Sequence, residues 1–139
     1  MTEPGYVLGV DPGERRIGLA LADLETRFAR PHEVIDVMAI DPIERIAEVV
    51  AEFGVKRVVV GRPVGLSGSA GPAVDAQRSL VEGLGARLEV PVEEFDERLT
   101  TVVAEQGLRA SGARPRARKR ARDAVAAQVM LQGYLDSRP

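Results

Sequence analysis

The sequence predicts an α/β fold: a five-stranded mixed sheet, three strands antiparallel and then two parallel, with helices on both faces. Two observations carry this expectation. The first 37 residues hold three apolar segments separated by turn-forming stretches, the pattern of hairpin-linked strands. From residue 42 onward, segments of helical period alternate with short apolar runs, as in strands joined by helical crossovers. No internal repeat, low-complexity tract or linker divides the chain, so residues 1–139 are read as one domain.

The first strand covers 6–11, Tyr6-Val7-Leu8-Gly9-Val10-Asp11, and Pro12-Gly13 follows at once. The chain resumes over 15–23 with Ile17-Gly18-Leu19-Ala20-Leu21-Ala22-Asp23, and the intervening Pro-Gly-Glu-Arg-Arg has the chemistry of a hairpin turn. A third strand is expected near 30–37. Asp41 and Pro42 suit the N-cap and first turn of an amphipathic helix over 42–53. Lys56-Arg57-Val58-Val59-Val60 is a short apolar strand of the kind buried on both faces. Gly61 to Gly71 forms a glycine-rich loop, and a helix over 72–87 turns Val74, Leu80, Val81 and Leu84 to the core. Val90 to Phe95 is the last strand and runs into Asp96-Glu97-Arg98. A helix over 100–110 has Thr100 as N-cap and Gly112 just past its end. The basic stretch after it is read as a loop leading into a final helix over 120–136.

A chain of 139 residues buries a real core, and 45% hydrophobic with 29% charged residues is ordinary for a globular protein. No apolar run nears the roughly 18–20 residues that cross a bilayer, and no signal-peptide pattern opens the chain, so a cytoplasmic protein without membrane contact is expected. The absence of Cys excludes disulfides and thiolate metal sites. Arg outnumbers Lys 17 to 2, as a GC-rich genome produces and as phosphate recognition by guanidinium groups also favours.

The net charge of −2 hides a segregation. Residues 1–105 carry 11 basic and 19 acidic groups, net −8, whereas residues 106–139 carry 8 basic and 2 acidic groups, net +6. Arg114, Arg116, Arg118, Lys119, Arg120 and Arg122 crowd into nine positions, which points to a local site for a polyanion.

Acids stand at three junctions. Asp11 closes the first strand, where a carboxylate costs free energy unless a metal ion or an Arg partners it. Asp96 and Glu97 end the last strand, at the carboxyl edge where α/β sheets place ligands. Asp123 heads a helical stripe with Ala127, Met130 and Tyr134. Taken singly, each has a plain explanation: Asp123 complements a helix dipole, and Asp96 and Glu97 are turn residues beside Arg98. Together, carboxylates converging on one place repel each other unless a cation intervenes, and hard divalent ions take oxygen ligands.

These segments resemble the YqgF/RuvX family, a bacterial branch of the ribonuclease H-like nucleases related to the RuvC Holliday-junction resolvases. The resemblance spans essentially the whole chain. It rests on Leu8-Gly9-Val10-Asp11-Pro12-Gly13 with Ile17-Gly18-Leu19-Ala20, and on Val59-Val60-Gly61-Arg62-Pro63 with Gly68-Ser69. It continues through Asp96-Glu97-Arg98-Leu99-Thr100-Thr101 with Ala104-Glu105 and ends on Asp123-Ala124-Val125-Ala126-Ala127 running into Leu131-Gln132-Gly133-Tyr134-Leu135. The first motif is shared with actin-like ATPases and sugar kinases. Those need two such lobes around a nucleotide cleft, and this chain supplies one.

The resemblance implies a ribonuclease H-like fold and a metal-dependent nuclease that hydrolyses phosphodiester bonds. The family is associated with maturation of the 5′ end of the 16S ribosomal RNA precursor, and its members were first proposed as alternative Holliday-junction resolvases. Carried over, the catalytic acids are Asp11, Asp96, Glu97 and Asp123. Asp11 and Asp123 would be metal ligands, with the remaining ligand from Asp96 or Glu97, for two Mg²⁺ or Mn²⁺ ions about 3.5–4 Å apart. The resolvase relatives carry a Glu at the end of the strand that here ends in Val60-Gly61, so the second acid must come from the next strand.

The loop from Gly61 to Gly71 lacks the spacing of a P-loop, yet Arg62, Ser67 and Ser69 are candidate donors to a backbone phosphate. Arg98 is placed to orient the acids or meet the scissile phosphate. Arg114, Arg116, Arg118, Lys119, Arg120 and Arg122 would grip the strand beyond the cut. The expected partner is nucleic acid, structured RNA or branched DNA, met by a monomer or homodimer. Three Phe, two Tyr and no Trp leave little for base stacking, which disfavours a single-strand reader. His32, after Pro31, is read as structural or surface. A non-catalytic nucleic-acid-binding module is the competing class, disfavoured because a pure binder gains by losing acids that repel phosphate.

Overall fold

The computed structural model describes residues 5–62, 72–96 and 115–138, with positions 72, 73 and 115–123 described as backbone. In chain order the elements are β1 (Tyr6–Asp11), β2 (Arg16–Asp23), β3 (Ala29–Asp36), α1 (Pro42–Phe53), β4 (Val55–Arg62), α2 (Pro72–Arg87), β5 (Val92–Asp96) and α3 (Pro115–Asp136). The strands form one five-stranded sheet in the order β3-β2-β1-β4-β5. β1 pairs antiparallel with β2, and β2 with β3. β1 pairs parallel with β4, and β4 with β5. The mixed α/β architecture expected from the sequence is therefore present.

The two faces of the sheet build two cores. Leu8, Val10, Ile17, Leu19, Leu21, Val58 and Val60 point to one face and pack with Ile46 and Val49 of α1 and Leu80 and Leu84 of α2. The alternate residues Val7, Ala20, Ala22 and Val59 meet Ala127, Met130, Leu131, Tyr134 and Leu135 of α3. β2 carries six consecutive buried residues because both of its faces are covered. The α3 side is lined with small residues, which lets the helix lie close. A Cβ on Gly9 would stand 2.8 Å from Leu131 Cβ, so glycine there sets the approach of helix to sheet.

Local chemistry sets the ends of α1. The Asp41 carboxylate accepts from the Ile43 amide at 3.0 Å, Pro42 opens the first turn, and Gly54 closes the helix at φ 64°. The carboxyl half of α3 is fastened by polar contacts. Gln132 accepts from the Ala29 amide at 2.8 Å, Gln128 donates to the Ala29 carbonyl at 3.1 Å, and the Arg27 guanidinium donates to the carbonyls of Leu135 and Arg138. A cation on the last carbonyls of a helix satisfies orphan acceptors and complements the helix dipole.

Boundaries differ from the sequence reading in a few places. β3 is Ala29–Asp36, β4 extends to Val55–Arg62, and β5 starts only at Val92. The larger correction concerns the basic segment, which is helical from Pro115 onward and is the start of α3, not a loop before it. Proline is at home in a first turn, and the Arg, Lys and Ala residues that follow are strong helix formers, so mutual repulsion of the cations does not outweigh propensity. The helix expected over 100–110, with Thr100 and Gly112, lies outside the described residues.

Candidate functional site

β1, β4 and β5 run parallel, so their carboxyl ends lie along one edge of the sheet, and each ends in a charged residue: Asp11, Arg62 and Asp96. The register pairs Val10 with Val60, Gly61 with Phe95 and Arg62 with Asp96. With strands about 4.8 Å apart, β1 and β5 are separated by about 10 Å across β4. Directly after Asp11 the chain turns sharply. A Cβ on Gly13 would fall 2.4 Å from the carbonyl oxygen of Arg16, so only glycine fits the turn that carries the chain away from Asp11.

Strand alternation sorts these groups between the faces. Asp11 follows Val7 and Gly9, which face α3. On β5, Phe95 packs against the α3 core and Glu93 accepts from the Tyr134 hydroxyl, whereas Glu94 accepts from Gln77 of α2 at 2.6 Å. Asp96 thus shares the α2 side with Glu94. Arg62, in step with Val58 and Val60, falls on that same side as its register neighbour. Asp11 is half-buried, while Arg62 and Asp96 are exposed.

The carboxyl end of α3 lies at the amino ends of β1 and β4: Tyr134 meets Arg57 near the start of β4, and Leu131 sits over Gly9. The amino half of the helix therefore extends toward the carboxyl edge. Position 123 is eight residues before Leu131, about 12 Å along the helix. Asp11 is two residues beyond Gly9, about 7 Å along the strand. Position 123 belongs to the amino half of α3, the helix that covers the face Asp11 shares, and the basic positions 116, 118, 119, 120 and 122 fall in the two turns before it.

Ser67, Ser69, Glu97, Arg98 and Arg114 lie outside the described residues, and Arg116, Arg118, Lys119, Arg120, Arg122 and Asp123 are placed by backbone. Among the described residues no group of three or more His, Cys, Asp or Glu gathers as a metal site; of the four candidate acids, only Asp11 and Asp96 fall within that statement. His32 stands on the opposite edge strand, its ring edge-on to Phe53 with centroids 5.1 Å apart.

A polar network on the α3 side, toward the amino end of β4, was not read from the sequence. The buried Tyr134 hydroxyl accepts from Arg57 Nη1 at 2.8 Å and donates to the Glu93 carboxylate, and Arg57 and Glu93 lie 3.9 Å apart. Burial, then the bond to Glu93, pushes the Tyr134 phenol above its ordinary range. The available signal was a tyrosine in an otherwise apolar helical stripe, since a buried hydroxyl requires a partner.

Comparison with known proteins adds relatives along almost the whole length. Residues 5–137 match the family model described as "RuvX: Holliday junction resolvase". A protein of Chloroflexus aggregans named "Putative pre-16S rRNA nuclease" is 50% identical over 133 residues, covering 95% of this chain and 94% of the relative. A protein of the same name from Anaeromyxobacter sp. (strain K) is 46% identical over 132 residues, covering 94% and 96%. Among solved structures, Thermus thermophilus RuvC in complex with a Holliday junction substrate superposes with TM-score 0.59 at 18% identity, covering 96% of this chain and 95% of that one. That likeness speaks to the fold, which is the ribonuclease H-like arrangement expected from the sequence.

Proposed function

We propose a function that proceeds from one fact: the chain belongs to the RuvX family, and its chemistry is that of a nuclease hydrolysing phosphodiester bonds. The proposed substrate is the 5′ end of the 16S ribosomal RNA precursor. The observation that carries the ribosomal RNA reading is the relative, 50% identical and aligned over 95% of this chain, whose name is that of a pre-16S rRNA nuclease. Residues 1–139 act as one nuclease domain in this reading.

The proposed acids are Asp11, Asp123 and Glu97. Asp11 lies on the side of the sheet that α3 covers, position 123 belongs to that helix, and Asp96 falls on the other side, which favours its neighbour Glu97 as the third acid. Asp96, on the α2 side beside Arg62, is proposed as a neighbour that tunes the edge. The donor set fits a hard divalent cation, because it offers only carboxylate oxygens and their mutual repulsion favours a cation among them. Mg²⁺ or Mn²⁺ bound there, as one ion or two, supplies Lewis acidity toward the phosphate and stabilises the leaving oxygen. The protein's own part is positional: Asp11 rides on a central strand, and Arg62, with Arg98, Ser67 and Ser69, offers donors to phosphate oxygens. The basic turns of α3 hold the backbone beyond the cut.

The test is incubation of the purified chain with a 16S precursor fragment and, side by side, a synthetic four-way DNA junction, with and without Mn²⁺. Mn²⁺-dependent cleavage of the RNA is expected. Cleavage confined to the junction by a dimer would favour the second reading, junction resolution, which the description of the matching family model supports. Binding without cleavage in Mn²⁺ would favour a non-catalytic nucleic-acid module.

A further inference from the structure

The sheet is not flush along its carboxyl edge. β1 ends at Asp11, which pairs with Gly18 of β2, yet β2 and β3 go on pairing beyond that level through Ile17 with Ile35 and Arg16 with Asp36. The last pair stands about 7 Å further out than Asp11. Hydrogen bonds order the chain around it. The Val37 amide donates to the Arg15 carbonyl at 2.9 Å, the Met38 amide to the Asp36 carboxylate at 2.9 Å, and the Ala39 and Ile40 amides to the Asp36 carbonyl at 3.0 Å. Together with the tight turn at Gly13, the β1–β2 turn and the β3–α1 connection make an ordered lip beside Asp11.

The lip carries cations next to exposed apolar groups. Ile17 and Leu19 face the core under α1 and α2, so Gly18 and Arg16 face the α3 side, as Asp11 does. Gly18, opposite Asp11, has no side chain, which makes the half-buried Arg16 the first side chain of β2 beyond Asp11 on that face. Diagonal neighbours across a strand pair lie about 7–8 Å apart, within reach of a long side chain. Met38 is 76% and Ile40 45% exposed, large apolar groups that the core does not use. Arg15 is exposed and stands 3.6 Å from Asp36, a solvated pair weak enough to give way to a phosphate. Glu14 is exposed at the tip of the turn. A nucleic-acid strand offers phosphates to such cations and base faces to such apolar groups, and Met and Ile are among the side chains that wedge against bases. In the strand order, Arg62 flanks Asp11 on the β4 side and the lip flanks it on the β2 side, so a strand laid along the edge across Asp11 meets both.

We propose that this lip is a further nucleic-acid contact surface, which holds the substrate strand on the β2–β3 side of Asp11. Arg16 and Arg15 donate to backbone phosphates, and Met38 and Ile40 lie against sugar and base faces. This rests on the nuclease reading above.

The test is fluorescence anisotropy of a labelled 16S precursor fragment with the full-length protein in EDTA, so that binding is read without cleavage, over a salt series. Arg16→Gln is expected to weaken binding about tenfold, as loss of a charge-assisted hydrogen bond does, and to lower the slope of log affinity on log salt by about 0.7–0.9. Arg15→Gln should lower the slope likewise. Met38→Ser is expected to weaken binding about threefold at an unchanged slope, since it removes apolar contact and no charge. Arg15 and Met38 are exposed, so those two variants decide the matter if Arg16→Gln melts early. Arg30→Gln, at an exposed position near the amino end of β3, is the comparison and should bind as the parent does. Equal losses in Arg30→Gln and Arg16→Gln overturn the location and leave a bulk charge effect. Parental affinity and slope in Arg16→Gln, Arg15→Gln and Met38→Ser overturn the lip and leave the nuclease reading standing. A parent that binds neither this RNA nor a four-way DNA junction, in EDTA or in Mn²⁺, overturns that reading and the lip with it.

Discussion

Asp11 stands half-buried at the end of a central strand, on the face covered by α3, beside a turn whose geometry admits only glycine at 13, a place where a carboxylate calls for a partner. Its importance was legible from the apolar run before it and the Pro-Gly after it. The choice between Asp96 and Glu97 was not legible, because neighbouring strand residues point to opposite faces and the sequence does not say which face α3 occupies. Gln77 on Glu94 and Tyr134 on Glu93 give the parity of β5, which puts Asp96 on the α2 side, away from Asp11, and supports the proposal of Glu97. Glu97→Gln is accordingly expected to lower cleavage by at least about tenfold, the scale of a lost ligand or its support. Asp96→Asn should keep most of the activity. Initial rates under Mn²⁺ for the two variants check this, and the reverse order would move the ligand to Asp96.

At the scale of elements, α1 is the part most fully foreseen, with Asp41, Pro42 and an apolar stripe marking its start and face. Its tie to the edge strand was not foreseen. Arg45 donates to Glu33 of β3 through Nε at 2.7 Å and Nη2 at 2.6 Å, and that bidentate bond holds the Glu33 carboxyl below the usual carboxylate range. Because the folded pKa is depressed, the pair stabilises the fold fully above the unfolded carboxylate range and loses that stabilisation as pH falls through the folded value. Melting temperature followed from about pH 7 to about pH 3 should therefore fall less steeply at the acid end for Glu33→Gln, which starts from a lower plateau. Parallel curves would remove Glu33 from the acid response. The misread element is α3, where the crowded cations suggested a loop. Helix propensity and the proline at 115 prevail instead, and the cations become part of the helix that carries Asp123.

For the whole molecule, the segregation of charge visible in the sequence gains a location. The acidic bulk, net −8 over residues 1–105, includes the whole sheet and its first helices, while the basic positions fall in the first turns of α3. In the proposed function an acidic protein meets a polyanion through these basic positions, so binding should depend steeply on salt. Replacing Arg116, Arg118 and Arg120 by Ala should weaken RNA binding and flatten the dependence of log affinity on log salt. The slope should fall by about 0.7–0.9 for each phosphate that is no longer neutralised. Fluorescence anisotropy across a salt series reads both quantities, and an unchanged slope would place the phosphate-binding cations elsewhere. The fold class and strand order were legible because hydrophobic period and turn residues are local signals. The division of the acids between the two faces was not, because it depends on which helix covers which side.

Asp11 is proposed to belong to a metal-dependent nuclease site at the carboxyl edge of β1, and the roles given to its neighbours follow from that. The decisive comparison sets the parent chain against Asp11→Asn on a 16S precursor fragment in Mn²⁺, alongside circular dichroism of both. The expected result is Mn²⁺-dependent cleavage by the parent and a loss of at least about a hundredfold in the variant, on the scale of disturbing a metal site, with matching spectra. Cleavage by Asp11→Asn at the rate of the parent would remove Asp11 from the chemistry.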